Sequence, residues 1–159
     1  MGRNAIQAIG FVLSGMVLMG LIVWFTMPSL MLVKCRSTLG YDETVMKLGE
    51  EVRQKPDWKV LVVNDYRKAT EAFGSIERTG SINICNPRYA SRILANDSDR
   101  GVTAMMPLAI GDYEDKQGQV YISRMNFKLV GMMFGGTIAE VMGTAGKDVG
   151  DIVKSVAVE

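Results

Sequence analysis

The sequence contains no histidine. That excludes a Ser-His-Asp or Cys-His triad, a histidine general base, and a histidine-held metal or haem within this chain. Only two cysteines occur, Cys35 and Cys85. They are too few for a four-cysteine metal site and too far apart for a CxxC motif. Both phosphate-loop patterns, G-x-x-x-x-G-K-[ST] and G-x-G-x-x-G, are missing despite Gly131, Gly135 and Gly136. No basic excess exists: Lys+Arg total 18 and Asp+Glu 17, and only Arg3 precedes position 34. A nucleic-acid partner is therefore not expected. No reaction is legible in what remains. The length of 159 residues allows one domain of ordinary size plus an appendage.

The largest absence is of charge. From Asn4 to Val33 no residue is ionisable, a run longer than the roughly 20 residues that cross a bilayer core. This predicts a membrane helix from about Asn4 to Met27, with Pro28 splitting the run and Trp24 near the headgroup zone. The run is too long for a signal h-region, and no A-x-A site follows it. The chain divides on this reading into an anchor, 1–33, and a domain, 34–159. Arg3 on one side and Lys34 with Arg36 on the other leave the positive-inside rule nearly balanced. The orientation adopted is that of a signal anchor, with the domain on the periplasmic or outer side. Gly10 and Ser14 form a small-xxx-small pair, and Gly15 adds a further small position for contact with another membrane helix.

After the anchor the periodicities alternate. Leu30–Cys35 reads as a strand. A helix follows, capped by Asp42 or a neighbour, with Val45, Leu48 and Val52 on one face and Pro56 ending it. Trp58–Tyr66 reads as a strand, 67–74 as a short helix closing at Gly74, and Ser81–Cys85 as a strand. Asn86-Pro87 opens a helix with cap and first-position proline in order. Val102–Glu114 and Gln119–Asn126 read as a hairpin closed around Gly118. A long apolar segment from Phe127, loosened at Gly135-Gly136, precedes a weaker helical pattern over Asp148–Val158. The order β-α-β-α-β-α-β-β-α predicts a two-layer α+β domain with a mixed or antiparallel sheet.

Three segments in order, CNPRYASRIL, TAMMPLAIGDYEDKQGQVYISRMN and MFGGTIAEVMG, together with DETV and WKV upstream, resemble domain-of-unknown-function family 302. The resemblance runs from about residue 37 to 143. It implies a compact two-layer α+β domain that dimerises in soluble relatives, and no established activity. Where many relatives carry Cys-Arg after Met-Met-Pro, this chain has Leu108 and Ala109. Thiol chemistry at that position does not carry over.

The candidate residues are accordingly few. Cys85 closes a strand just before a helix N-terminus, where a thiol pKa can fall; as a buried apolar residue it would be inert. A Cys35–Cys85 disulfide would require neighbouring strands. The chain holds 12 methionines, of which Met105, Met106, Met125, Met132, Met133 and Met142 cluster late in the sequence. Thioethers suit Cu(I), and they equally suit core filling and adaptable partner surfaces. In a strand Met105 and Met106 would face opposite sides. Ala109 and Gly111 suggest a shallow pocket beside Pro107, and Asp112, Glu114 and Asp115 a solvated turn.

These features predict a non-catalytic accessory subunit of a larger membrane assembly; a respiratory or redox type for that assembly is what the family resemblance alone implies. Its ligand or partner candidates are Cys85, Met105, Met106, Met125, Met132, Met133 and Phe134 in the domain, and its membrane-helix contact candidates are Gly10, Ser14 and Gly15 in the anchor. Membrane lipid, other membrane-protein subunits and a second copy of the chain are the expected partners. No cofactor or metal is expected. The alternatives are a small-ligand or Cu(I)-binding module and an enzyme using Cys85.

Overall fold

A computed structural model describes residues 2–158. The chain separates into two compact units, Met1–Leu32 and Val33–Glu159.

The first unit is one helix, α1 (Arg3–Met31). Its stretch Gln7–Met31 is long and apolar enough to cross a bilayer. At 1.5 Å per residue it covers about 37 Å, more than a hydrocarbon core of about 30 Å. The helix was expected to end at Met27, yet Pro28 lies inside it. Proline there removes one N–H donor close to the helix end, and the remaining turn closes without it. Hydroxyls along the helix fold back on its own carbonyls. Ser14 Oγ donates to Gly10 O at 2.9 Å, and Thr26 Oγ1 to Ile22 O at 2.8 Å. These bonds spare an apolar environment any bare hydroxyl.

The second unit is an α+β domain. Its elements are β1 (Leu32–Ser37), α2 (Tyr41–Gln54), β2 (Lys59–Asp65), α3 (Tyr66–Thr70), β3 (Thr79–Cys85) and α4 (Pro87–Leu94). A 3₁₀ segment, Asp97–Met105, follows. Then come β4 (Leu108–Glu114), β5 (Val120–Met125), α5 (Phe127–Phe134), α6 (Gly136–Lys154) and β6 (Ala157–Val158). The sheet order is β2-β3-β4-β5-β1-β6. The pairs β2·β3, β3·β4, β4·β5 and β1·β6 are antiparallel. Cys35 Sγ donates to Ile122 O at 3.7 Å and Gln119 Nε2 to Ser37 O at 3.2 Å, linking β1 to β5 and the turn before it.

The core lies between the sheet and α2, α4 and α6. Ile82, Ile84, Ile110 and Ile122 meet Leu48, Val52, Ile93, Val149 and Ile152, all at 0–1% exposure. Each such side chain contributes about 1.5–3 kcal/mol on leaving water.

Local signals explain most boundaries. Asn86 Oδ1 accepts from the backbone N–H groups of Arg88 and Tyr89, so the expected cap forms at α4. At α2 the cap is Gly40 rather than Asp42. Asp42 sits in the first turn, where its charge suits the helix dipole, and its Oδ2 accepts from Arg78 Nη1 at 2.7 Å. The strand expected from Val102 starts six residues later, at Leu108. Val102 is instead buried in the 3₁₀ segment, and Pro107 lacks the N–H that a central strand must donate. The helix expected to continue through Gly135-Gly136 breaks there, at φ +74° and +51°. These are left-handed values that glycine alone adopts freely. Gly131 lets α5 and α6 touch: a Cβ there would lie 2.7 Å from Met142 Cβ.

Candidate functional site

A small apolar cavity of about 40 Å³ opens where the end of β3, the start of β4, α4, the 3₁₀ segment and α6 converge. Four sulfur-bearing residues line it: Cys85, Met105, Met106 and Met142. Trp58, Tyr89, Ile93 and Pro107 complete much of its wall. The expectation that Met105 and Met106 face apart is overturned. Met105 ends the 3₁₀ segment and Met106 caps it, neither occupying a strand, so period-two alternation does not apply. Both pack against the core and both reach the same cavity.

Beside the cavity stands a polar clamp that the sequence did not reveal. Asp148 Oδ2 accepts from Trp58 Nε1 at 3.1 Å and from Tyr89 Oη at 2.9 Å. The two rings meet edge to face, with centroids 5.9 Å apart. Desolvation, and then the bond to Asp148, push the Tyr89 hydroxyl above its ordinary pKa. Asp148 is 90 residues from Trp58 in sequence, and no local pattern marked the pair.

Cys85 is partly buried. Burial pushes its pKa up, where a helix N-terminus had suggested a fall. The Asn86 side chain already occupies two N–H groups that would have stabilised a thiolate. Cys35 is also raised by burial, with Arg124 opposing it by charge. The two cysteines are free. Strands β4 and β5 stand between β1 and β3, so the neighbouring-strand condition for a disulfide fails.

The remaining candidates scatter. Met125 is partly buried against the core. Met132, Met133 and Phe134 stand exposed at the end of α5, at 66%, 64% and 53%. Gly10 and Ser14 share a face of α1, but Gly15 is turned about 100° from Ser14 by helical geometry. Ala109 and Gly111 do not line the sulfur cavity. On β4, Leu108, Ile110 and Asp112 are the residues whose alternation points to the core side. Asp112 is therefore no solvated turn residue. It is 2% exposed, and its Oδ2 accepts from Tyr41 Oη at 2.5 Å.

One surface escaped the sequence reading. β2 is an outer strand of the sheet, and Leu61, Val62 and Val63 are exposed on it at 55%, 43% and 53%. The register against β3 shifts between Val60 and Val62, leaving Leu61 as the extra residue of a bulge. Alternation predicts one buried and one exposed face; the bulge cancels it and turns consecutive apolar residues outward. Phe73, at 92% exposure, follows α3 in the same part of the chain.

The fold is shared with a solved protein. A crystal structure of an uncharacterized conserved protein DUF302 from Bacillus stearothermophilus superposes with a TM-score of 0.69 at 21% identity. It covers 79% of this chain and 98% of its own. The sequence pattern of the domain of unknown function DUF302 matches residues 33–156. The chain belongs to the DUF302 family. No curated protein matches it in sequence. The DUF302 match starts where α1 has ended, so the apolar helix precedes the family's own domain. Within that domain, Leu108 lines the sulfur cavity and Ala109 is exposed.

Proposed function

We propose that this DUF302 protein is a non-catalytic, membrane-tethered accessory subunit, with α1 in the bilayer and the domain bound to another subunit of a respiratory or redox-type membrane assembly. The supporting observation is the outer strand β2, with three consecutive exposed apolar residues at Leu61–Val63. Soluble proteins normally blunt such an edge with charge, proline or a covering loop, because unpaired strand groups recruit another chain. A chain tethered at residue 31 meets partners held in the same membrane at a raised effective concentration. Met132, Met133 and Phe134 add a second adaptable contact, and Gly10 with Ser14 offers close helix packing.

Leu61→Lys with Val63→Lys places two charges on the edge without touching the core. In the full chain, extracted from its native membrane in mild detergent, this variant should retain less than about a tenth of a stoichiometric membrane partner, since buried unpaired charge is costly. Gly10→Leu with Ser14→Leu should lower the yield separately if α1 also makes contact. Unchanged yield in both variants, or a second copy of this chain as the sole partner, defeats the accessory-subunit reading.

The convergence of Cys85, Met105, Met106 and Met142 on one cavity favours a second reading, a Cu(I)-binding module. Soft thiolate and thioether donors select Cu(I), and a cavity of about 40 Å³ holds one ion or one water-sized group. Titration of the reduced full chain against a chromogenic Cu(I) chelator tests it. One equivalent should transfer to the protein, and Cys85→Ser with Met106→Leu should weaken retention at least about a hundredfold, since losing direct ligands costs at least as much as losing the groups that orient them. Chelators should leave the thermal midpoint unchanged under either reading, because no metal is needed to fill this core.

A further inference from the structure

Chain continuity ties one end of the domain's sheet to α1. The helix closes at Met31 and β1 opens at Leu32. Cys35 Sγ donates to Ile122 O, and Gln119 Nε2 to Ser37 O. β1 therefore runs antiparallel to β5, and its start lies beside the end of β5 at Met125. α5 leaves the sheet from that same end. The pairs Thr79–Tyr113 and Tyr113–Tyr121 put the β2–β3 connection, with Phe73, at the opposite end. α6 also closes at the opposite end, where Thr38 N–H donates to Val156 O at 3.0 Å.

α5 and α6 form a hairpin that runs past the anchored end. A Cβ at Gly146 would lie 3.2 Å from Phe127 Cβ, and one at Gly131 2.7 Å from Met142 Cβ, so the two helices are antiparallel. Read backwards, α6 starts from the opposite end, reaches the level of Phe127 at Gly146 and continues to Gly136. The stretch from Gly146 to Gly136 covers about 15 Å at 1.5 Å per residue. The tip of the hairpin therefore stands beyond the sheet, on the side where the chain leaves α1. Met132, Met133 and Phe134 are exposed there, while Phe127, Val130 and Gly131 are buried. From Leu129 to Ala139 no residue is ionisable, and the exposed Lys128 stands at the base of the tip. Apolar side chains above one long cation suit a lipid interface, because the ammonium group can reach back to water. Asn96 donates to Thr137 Oγ1 at 3.4 Å, which sets the 3₁₀ segment beside the start of α6. Two carboxylates of these elements are already paired, Asp97 with Arg100 and Glu140 with Arg92.

We propose that this tip, Met132, Met133 and Phe134, enters the interfacial layer of the bilayer that holds α1. Each such side chain favours an apolar phase by about tenfold or more when fully moved out of water. Alone that makes a weak contact, but the tether turns it into an intramolecular one at a raised effective concentration. The contact is apolar, so it requires no anionic lipid. Two attachments, α1 and the tip, hold the domain in one orientation on the membrane and leave the β2 edge to a protein partner. The inference rests on the reading that α1 stays in the bilayer, and it gives the second contact of that reading to lipid.

The test reads tryptophan emission from the full chain in phosphatidylcholine vesicles, with and without bromine on the acyl chains. Bromine quenches an indole only at close range. Wild type carries Trp24 in α1 and Trp58 in the domain core, so its quenching reports α1 alone. Trp24→Phe should abolish that quenching. Trp24→Phe with Phe134→Trp should restore it, lowering emission by up to about half, because one of two indoles then sits at headgroup level. Trp24→Phe with Phe73→Trp, exposed at the opposite end of the sheet, should stay unquenched. Adding Met132→Asp and Met133→Asp to the Phe134→Trp chain should remove its quenching and leave its thermal midpoint unchanged, since both side chains are exposed. An unquenched wild type overturns the anchored reading and this inference with it. A quenched wild type with an unquenched Phe134→Trp chain keeps α1 in the bilayer and overturns this inference alone, returning the tip to a protein partner. Equal quenching in the Phe73→Trp and Phe134→Trp chains shows adsorption without orientation and also overturns it.

Discussion

Tyr41→Phe should destabilise the domain by about 2–3 kcal/mol at about pH 7 and by clearly less at about pH 4. The reason lies at Asp112. Its carboxylate is 2% exposed, its Oδ2 accepts from Tyr41 Oη, and its Oδ1 is buried with no partner among the described residues. Gly80 leaves the space for this contact: a Cβ there would come within 2.8 Å of both oxygens. Burial pushes the Asp112 pKa up, and the Tyr41 bond pulls it part of the way back. A carboxyl whose folded pKa exceeds its unfolded value binds protons more tightly when folded. Stability from that group is therefore present at low pH and lost as pH rises from the ordinary 3.8 through the raised value. Deleting the hydroxyl widens this window, because it removes the donor that favoured the charged form. Urea midpoints of both proteins at the two pH values measure the effect. In an Asp112→Asn background the same Tyr41→Phe change should cost only about 0.5–1.5 kcal/mol, since a neutral bond is lost. An equal deficit at both pH values would show that Asp112 is not the group responsible.

Removing residues 1–31 should transfer the protein from the membrane pellet to the supernatant. Its thermal midpoint should stay within a few degrees of the full chain's. Among the described α1 side chains, those in the candidate span are not buried, whereas the domain holds a continuous core of its own. On the anchored reading, membrane attachment resides in one element and folding stability in the other. Insertion of about 25 apolar residues is effectively irreversible, so alkaline carbonate should not release the intact chain. Intact mass of the membrane-bound protein completes the measurement. Release by carbonate, or a mature chain lacking the helix, would assign α1 to a signal sequence instead.

Much of the architecture followed from local chemistry. The uncharged run from Asn4 to Val33 specifies an apolar helix whatever surrounds it, because nothing in it interrupts backbone bonding except one proline. Asn86-Pro87 specifies a helix start through its own side chain and fixed φ. Gly118 specifies the β4–β5 hairpin turn, at φ +79°. The order of strands and helices is legible because period two and period 3.6 are properties of adjacent residues.

The sites were not legible in the same way. The sulfur cavity joins positions 85, 105, 106 and 142, and Met105 with Met106 meet only because a 3₁₀ segment replaces the start of a strand. The Trp58–Asp148–Tyr89 clamp and the Tyr41–Asp112 bond span 59 to 90 residues, and each depends on which helix lies over which strand. The exposed row on β2 arises from a bulge, a register event between two strands. Residue identity and near neighbours were enough for the apolar N-terminal helix, the element order and the lack of histidine. Where the sulfur-bearing residues meet and where the sheet edge stays open depend instead on register and packing between segments far apart in the chain.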